Sequence, residues 1–156
     1  MKLIAKVGVL FTALISFSVH ASQAADFVSG DITVSDPFAR ATFGAAKSGG
    51  AFLTLRNNGE HPDRLIAIKS SNAKHAGLHE SYKDGGIMRM RSAEKLDLPS
   101  KSTVELKPGG YHVMLMGLTA PLEKGTTLPL VLKFERAGEI SIKVDVLGPG
   151  AMSARR

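Results

Sequence analysis

The sequence predicts a single all-β domain, an antiparallel sandwich or Greek-key barrel, on three observations. Short runs of alternating or β-branched residues recur along the chain, clusters of Gly, Pro, Asn and Asp separate them, and no segment carries a capped apolar stripe of period 3.6. The chain has 156 residues, 44% of them apolar and 22% charged, which fits one globular domain and excludes disorder. No internal repeat or linker divides it.

The N-terminus reads as an export signal. Lys2 and Lys6 precede an uncharged apolar run from Val7 to Val19, and small residues cluster at Ala21, Ser22, Ala24 and Ala25. The run is shorter than the roughly 20 residues a spanning helix needs. The expectation is a signal peptide over residues 1–24, cut after Ala24, and no stable membrane insertion. A cut after Ala21 and an uncleaved anchor are the alternatives.

The strands follow in order: Ile32–Val34, Ala51–Arg56, Arg64–Ser70, His75–Tyr82, Ile87–Arg91, Ser102–Leu106, Tyr111–Met116, Leu128–Glu135 and Ile140–Val146. Between them lie the turn sequences Asn57-Asn58-Gly59, Asp84-Gly85-Gly86, Pro108-Gly109-Gly110 and Arg136-Ala137-Gly138. The domain so defined spans residues 25–147. The tail, residues 148–156, is small, polar and basic, and reads as flexible.

Formal net charge is +6; loss of Lys2 and Lys6 leaves 18 basic against 14 acidic residues, a net of +4. The cations are scattered without interleaved aromatic residues, so nucleic-acid binding has no support. There is no cysteine. That excludes disulfides, thiolate zinc sites, iron–sulfur clusters, cysteine nucleophiles and the blue-copper centre of an electron-transfer cupredoxin.

The methionines and remaining histidines are placed unlike core packing. Met88 and Met90 share one predicted strand, His112, Met114 and Met116 another, and His79 stands on the strand before Met88. Residues two apart on a strand share a face and lie about 6.6 Å apart along it. The Lys83–Gly86 hairpin signal pairs the strands around His79 and Met90. His79, Met90, His112 and Met114 are therefore positioned to converge from three strands. Imidazole and thioether donors together select Cu(I). Thioether neither protonates near neutral pH nor oxidises to a disulfide, and two neutral imidazoles with two thioethers suit a monovalent ion. Spacing alone leaves alternatives open. His75 has the same parity as His79, Met88 and Met116 read equally well as core residues, and His61 reads as an exposed loop residue. Lys83, Arg89 and Arg91 flank the set and could steer it toward an acidic surface.

The spacing His79-x10-Met90-x21-His112-x-Met114 resembles the signature of the periplasmic PCuAC copper chaperone family. The flanking sequences Leu78-His79-Glu80, Asp84 to Arg91 and Leu106 to Leu118 are similar too, and the likeness extends from Ile32 through the last strand. The resemblance implies a cupredoxin-like Greek-key fold and Cu(I) held by His79, Met90, His112 and Met114, choosing His79 over His75 and Met90 over Met88. It further implies a periplasmic monomer that is not an enzyme. Its copper would pass toward the CuA centre of cytochrome c oxidase, alongside or by way of a Sco-type thiol protein. Two departures stand out: the tail has one Met and no His where some members carry a His/Met-rich extension for a second copper, and Glu80 follows His79 where some have Met. Two other readings of the residues remain: a periplasmic copper storage or tolerance protein, and a metal-free exported β-sandwich that binds other proteins.

Overall fold

The computed structural model describes residues 26–154; the expected signal peptide, residues 1–24, lies outside the described residues. Eleven strands make up the regular structure: β1 (Phe27–Ser29), β2 (Ile32–Arg40), β3 (Ser48–Asn57), β4 (Asp63–Lys69), β5 (Ala73–Asp84), β6 (Ile87–Ala93), β7 (Leu96–Leu98), β8 (Thr103–Leu106), β9 (Tyr111–Leu118), β10 (Thr127–Phe134) and β11 (Gly138–Leu147). No helix occurs among the described residues, and so none is long and apolar enough to cross a membrane.

Seven strands close a barrel in the order β2-β11-β10-β4-β5-β9-β3, sealed by pairing of β3 with β2. The short strands β1, β6, β7 and β8 attach to β2, β5, β4 and β3. Every pairing is antiparallel except β11 with β2, which run parallel through Asp145↔Phe38, Val146↔Ala39 and Leu147↔Arg40. That pair departs from the wholly antiparallel expectation. Parallel neighbours cannot be joined by a tight turn, so the chain must cross the barrel between them.

Period-two alternation builds the core. Leu128, Leu130, Leu132 and Phe134 of β10 and Ile140, Ile142, Val144 and Val146 of β11 all point inward and are buried. Leu53 and Leu55 of β3, Leu78 of β5 and Val113 and Leu115 of β9 complete that wall. This inward set fixes which side chains β3, β5 and β9 must turn outward.

A candidate copper site on the outer face of β5, β6 and β9

On β9, Val113 and Leu115 enter the core, so His112, Met114 and Met116 lie on the opposite face. On β5, Leu78 enters the core and pairs with Val113, so Gly77, His79 and Ser81 share the outer face. Register then brings the four candidates together. His79 lies directly opposite His112, with ring centroids 6.2 Å apart. Met114, opposite Gly77, is the diagonal neighbour of His79 on one side. Met90, opposite Ser81 while Ser92 opposes His79, is the diagonal neighbour on the other side. Diagonal cross-strand neighbours sit about 7–8 Å apart, within reach of long side chains. His79 thus has all three partners as direct or diagonal neighbours.

Two turns set that register. Gly85 and Gly86, with φ of 56° and 89°, form the two-residue loop of the β5–β6 hairpin closed by Asp84↔Ile87. Positive φ at both loop positions matches the twist of the flanking strands and is cheap for glycine. Before β9, the Gly110 amide donates to the Lys107 carbonyl at 3.0 Å, with Pro108 next and Gly109 at φ 84°. Pro followed by a positive-φ Gly is the signature of a type II turn. It aims the Gly110 carbonyl at two donors, the Ser81 amide and His112 Nδ1, each at 3.0 Å. A carbonyl only accepts, so Nδ1 of His112 carries the proton and Nε2 keeps its lone pair.

His112 is 5% exposed. It extends an aromatic row in which Phe38 and Phe52 are 5.0 Å apart and Phe52 and His112 6.3 Å apart. Arg40 lies over the Phe52 ring at 5.3 Å. The Arg40 Nε donates to the Ala151 carbonyl at 2.7 Å, and an Nη sits 2.9 Å from the Met152 sulfur, so the tail runs past this face. Met90, His112 and Met114 line a cavity of about 310 Å³ together with Arg40, Phe52 and Ser81. His79 is not on its wall. Nδ1 of His79 is shut off from solvent without a hydrogen-bond partner, the one such side-chain atom among the described residues. Leaving a buried polar group unpaired costs about 1–3 kcal/mol. In the tautomer that leaves this nitrogen unprotonated, a soft metal ion is a partner of the right chemistry. Among the described residues no three His, Asp or Glu gather into a metal-holding group; the other side chains of donor chemistry on this face are the thioethers of Met90 and Met114.

The surrounding charges differ from the expected steering patch. Arg89 is ion-paired with Asp84 at 2.8 Å and Arg91 with Glu80 at 2.7 Å. The hydrogen bond and charge of Glu80 hold the Arg91 guanidinium above its ordinary pKa. Both arginines stand on the face of β6 opposite Met88 and Met90, and only Lys83, opposite Met88, shares the site's face. Met88 and Met116, which also read as core residues, are 58% and 38% exposed. His61 is exposed in its loop, as expected. Phe52, Arg40 and the Gly110 carbonyl are participants the sequence reading missed. Only the Pro-Gly-Gly turn offered a signal for any of them.

Comparison with known proteins follows the same lines. The family described as "Putative lipoprotein LpqE-like" matches residues 32–146. "Putative lipoprotein Lxx21020" of Leifsonia xyli subsp. xyli is 37% identical over 105 residues, which is 65% of this chain and 63% of that protein. The chain therefore spans a little under two thirds of that relative's length. Among solved structures, the copper-bound PCuAC domain from PmoF2 superposes with a TM-score of 0.70 at 27% identity, over 80% of this chain and 99% of that one. The apo PCuAC domain from PmoF1 gives 0.70 at 31% identity, over 80% and 100%. The solution structure of apo-DR1885 from Deinococcus radiodurans gives 0.60 at 25% identity, over 94% and 100%. The fold is therefore cupredoxin-like, as the resemblance implied.

Proposed function

Because this chain belongs to the LpqE-like family, which is related to the PCuAC domains, we propose that it is an exported copper chaperone binding Cu(I) through His79, Met90, His112 and Met114. Delivery runs toward the CuA centre of cytochrome c oxidase, directly or through a Sco-type thiol protein. The observation that carries this reading is the His79–His112 cross-strand pair with its unpartnered Nδ1. Copper-bound and apo forms of structurally similar PCuAC domains support it. The protein here is a carrier, with copper as its cargo.

The chemistry follows from the donors. Nε2 of His112, freed by the Gly110 carbonyl, and the unpaired Nδ1 of His79 are neutral nitrogen ligands. Met90 and Met114 add soft sulfur, which favours Cu(I) over divalent ions. The set has no charge of its own, and nearby Arg40 further disfavours a divalent ion. Met90 is 52% exposed, so an incoming thiolate can displace its sulfur first and begin transfer by ligand exchange.

Anaerobic Cu(I) titration of the mature protein against a chromophoric chelator should show one tight equivalent. X-ray absorption should find two sulfur and two nitrogen neighbours at the metal. His112→Ala and Met114→Ala should each lose tight binding; full retention in both overturns the assignment. Mixing the loaded protein with a soluble CuA domain and with a Sco-type protein tests delivery, and transfer to neither would leave storage as the role.

A further inference from the structure

The row of donors on the outer face of β9 does not end at Met114. Met116 continues it two residues on, directly opposite His75 of β5 on one side and Ser48 of β3 on the other. His75 is exposed and Met116 is 38% exposed. Neither side chain is part of the buried core. Met114 separates this pair from the His79–His112 pair, and it is flanked by glycine on both neighbouring strands, Gly50 of β3 and Gly77 of β5. A Cβ at Gly77 would meet nothing within 4 Å, and one at Gly50 would meet only the Phe52 ring, at 3.4 Å. The position beside Met114 on β5 is therefore open. One strand step, about 6.6 Å, separates Met114 from Met116, and a methionine has three rotatable bonds to span it.

We infer that His75 and Met116 form a second, outer Cu(I) station, with Met114 shared between it and the His79–His112 site. The inference rests on the proposed function and adds a route to it. An ion arriving from solvent is first held by an imidazole and a thioether, gains the Met114 sulfur, and passes inward as His79 and His112 replace His75 and Met116. No bond other than metal–ligand bonds changes, and the oxidation state stays at Cu(I). With two protein donors of its own, against four inside, the outer station binds more weakly.

The test is anaerobic Cu(I) titration of the mature protein, with NMR of the His ring protons and Met methyl groups. Wild type should bind a tight first equivalent that moves His79, His112, Met90 and Met114. A second equivalent, weaker by at least tenfold, should move His75 and Met116. His75→Ala/Met116→Ala should lose the second equivalent and keep the first. Both residues are exposed, so circular dichroism should show an unchanged fold. His112→Ala should lose the tight equivalent yet still shift His75 and Met116. Saturation of wild type at one equivalent with His75 and Met116 unmoved overturns the outer station while leaving the chaperone reading intact, as does a second equivalent that persists in the double variant. Absence of any Cu(I) binding removes both.

Discussion

At Asn57 and Asp63 every buried polar atom is answered, whereas at His79 and His112 one is not. Asp63 is 6% exposed; its Oδ1 accepts the amides of Arg64 and Arg136 at 2.7 and 2.9 Å, and its Oδ2 the amide of Ala137 at 2.9 Å. Asn57, 1% exposed, donates to the His61 and Leu98 carbonyls and accepts the Gly59 amide. Such closed networks hold a fold together. The histidine pair also sits on strands, His112 buried and His79 half-buried, but keeps Nδ1 of His79 unpaired and Nε2 of His112 uncommitted. The unanswered nitrogen belongs to a ring 6.2 Å from that of His112, on the face where the proposed copper site lies.

Copper itself should widen this contrast most. An ion bound only by the native state stabilises by about 4 kcal/mol at a free concentration 1,000 times its Kd. Thermal melts with buffered Cu(I) should therefore rise markedly for wild type and clearly less for His112→Ala, which keeps only the weaker outer station. A shift of equal size in that variant would place the ion elsewhere.

Substitution in the two regions should have opposite effects on the metal-free protein. Asp63→Ala strands three half-buried amides and should cost about 3 kcal/mol in urea unfolding, with Cu(I) stoichiometry unchanged. His79→Leu removes the unpartnered buried nitrogen and should leave metal-free stability within about 1 kcal/mol of wild type, or raise it, while abolishing tight Cu(I) binding. A loss of several kcal/mol from His79→Leu would mean that this histidine is structural.

The sequence made one region far more legible than the other features around it. Nine strands were readable because their side chains alternate, and parity alone put His112, Met114 and Met116 on one face. β1 and β7 have three residues each, too few to display a period. β2 extends to Arg40 beyond the predicted Ile32–Val34; Asp36, with φ 50°, and Pro37 interrupt the alternation, and in the fold they are an irregularity between Ser35 and Phe38. Phe38 and Arg40, both beside the candidate site, were hidden with that strand. The choice between His75 and His79 was out of reach for a different reason. Parity assigns a face but register assigns the neighbour, and register depends on where the Gly85-Gly86 and Pro108-Gly109 turns place the strand ends.

Gly109→Ala asks how much that placement matters. A side chain at φ 84° strains the type II turn by about 1–2 kcal/mol. If relaxation of the turn moves the Gly110 carbonyl, the hydrogen bond that fixes the His112 tautomer weakens. The expected result is a modest loss of stability and a several-fold weaker Cu(I) affinity, much less than His112→Ala gives. Nitrogen-15 imidazole shifts should show both His112 tautomers populated in the metal-free variant. Unchanged tautomer and affinity would show that the aromatic row positions the ring without the turn.

The smallest effect belongs to the surface beside Asn57. Lys101 reaches Glu60 at 2.6 Å and the Asn58 carbonyl at 2.8 Å. The hydrogen bond from Lys101, then its charge, holds the Glu60 carboxyl below its ordinary pKa. A lowered folded-state pKa stabilises the fold above the ordinary carboxylate range, and that contribution disappears as pH falls through the lowered value. Lys101→Met should bring the Glu60 titration midpoint up toward the ordinary value by NMR. Because the pair stands in solvent, acid unfolding should barely move, and Cu(I) affinity should not change at all. A copper effect from this substitution would couple two regions that the buried networks keep separate, and would break the division between a self-satisfied scaffold and an incomplete metal face.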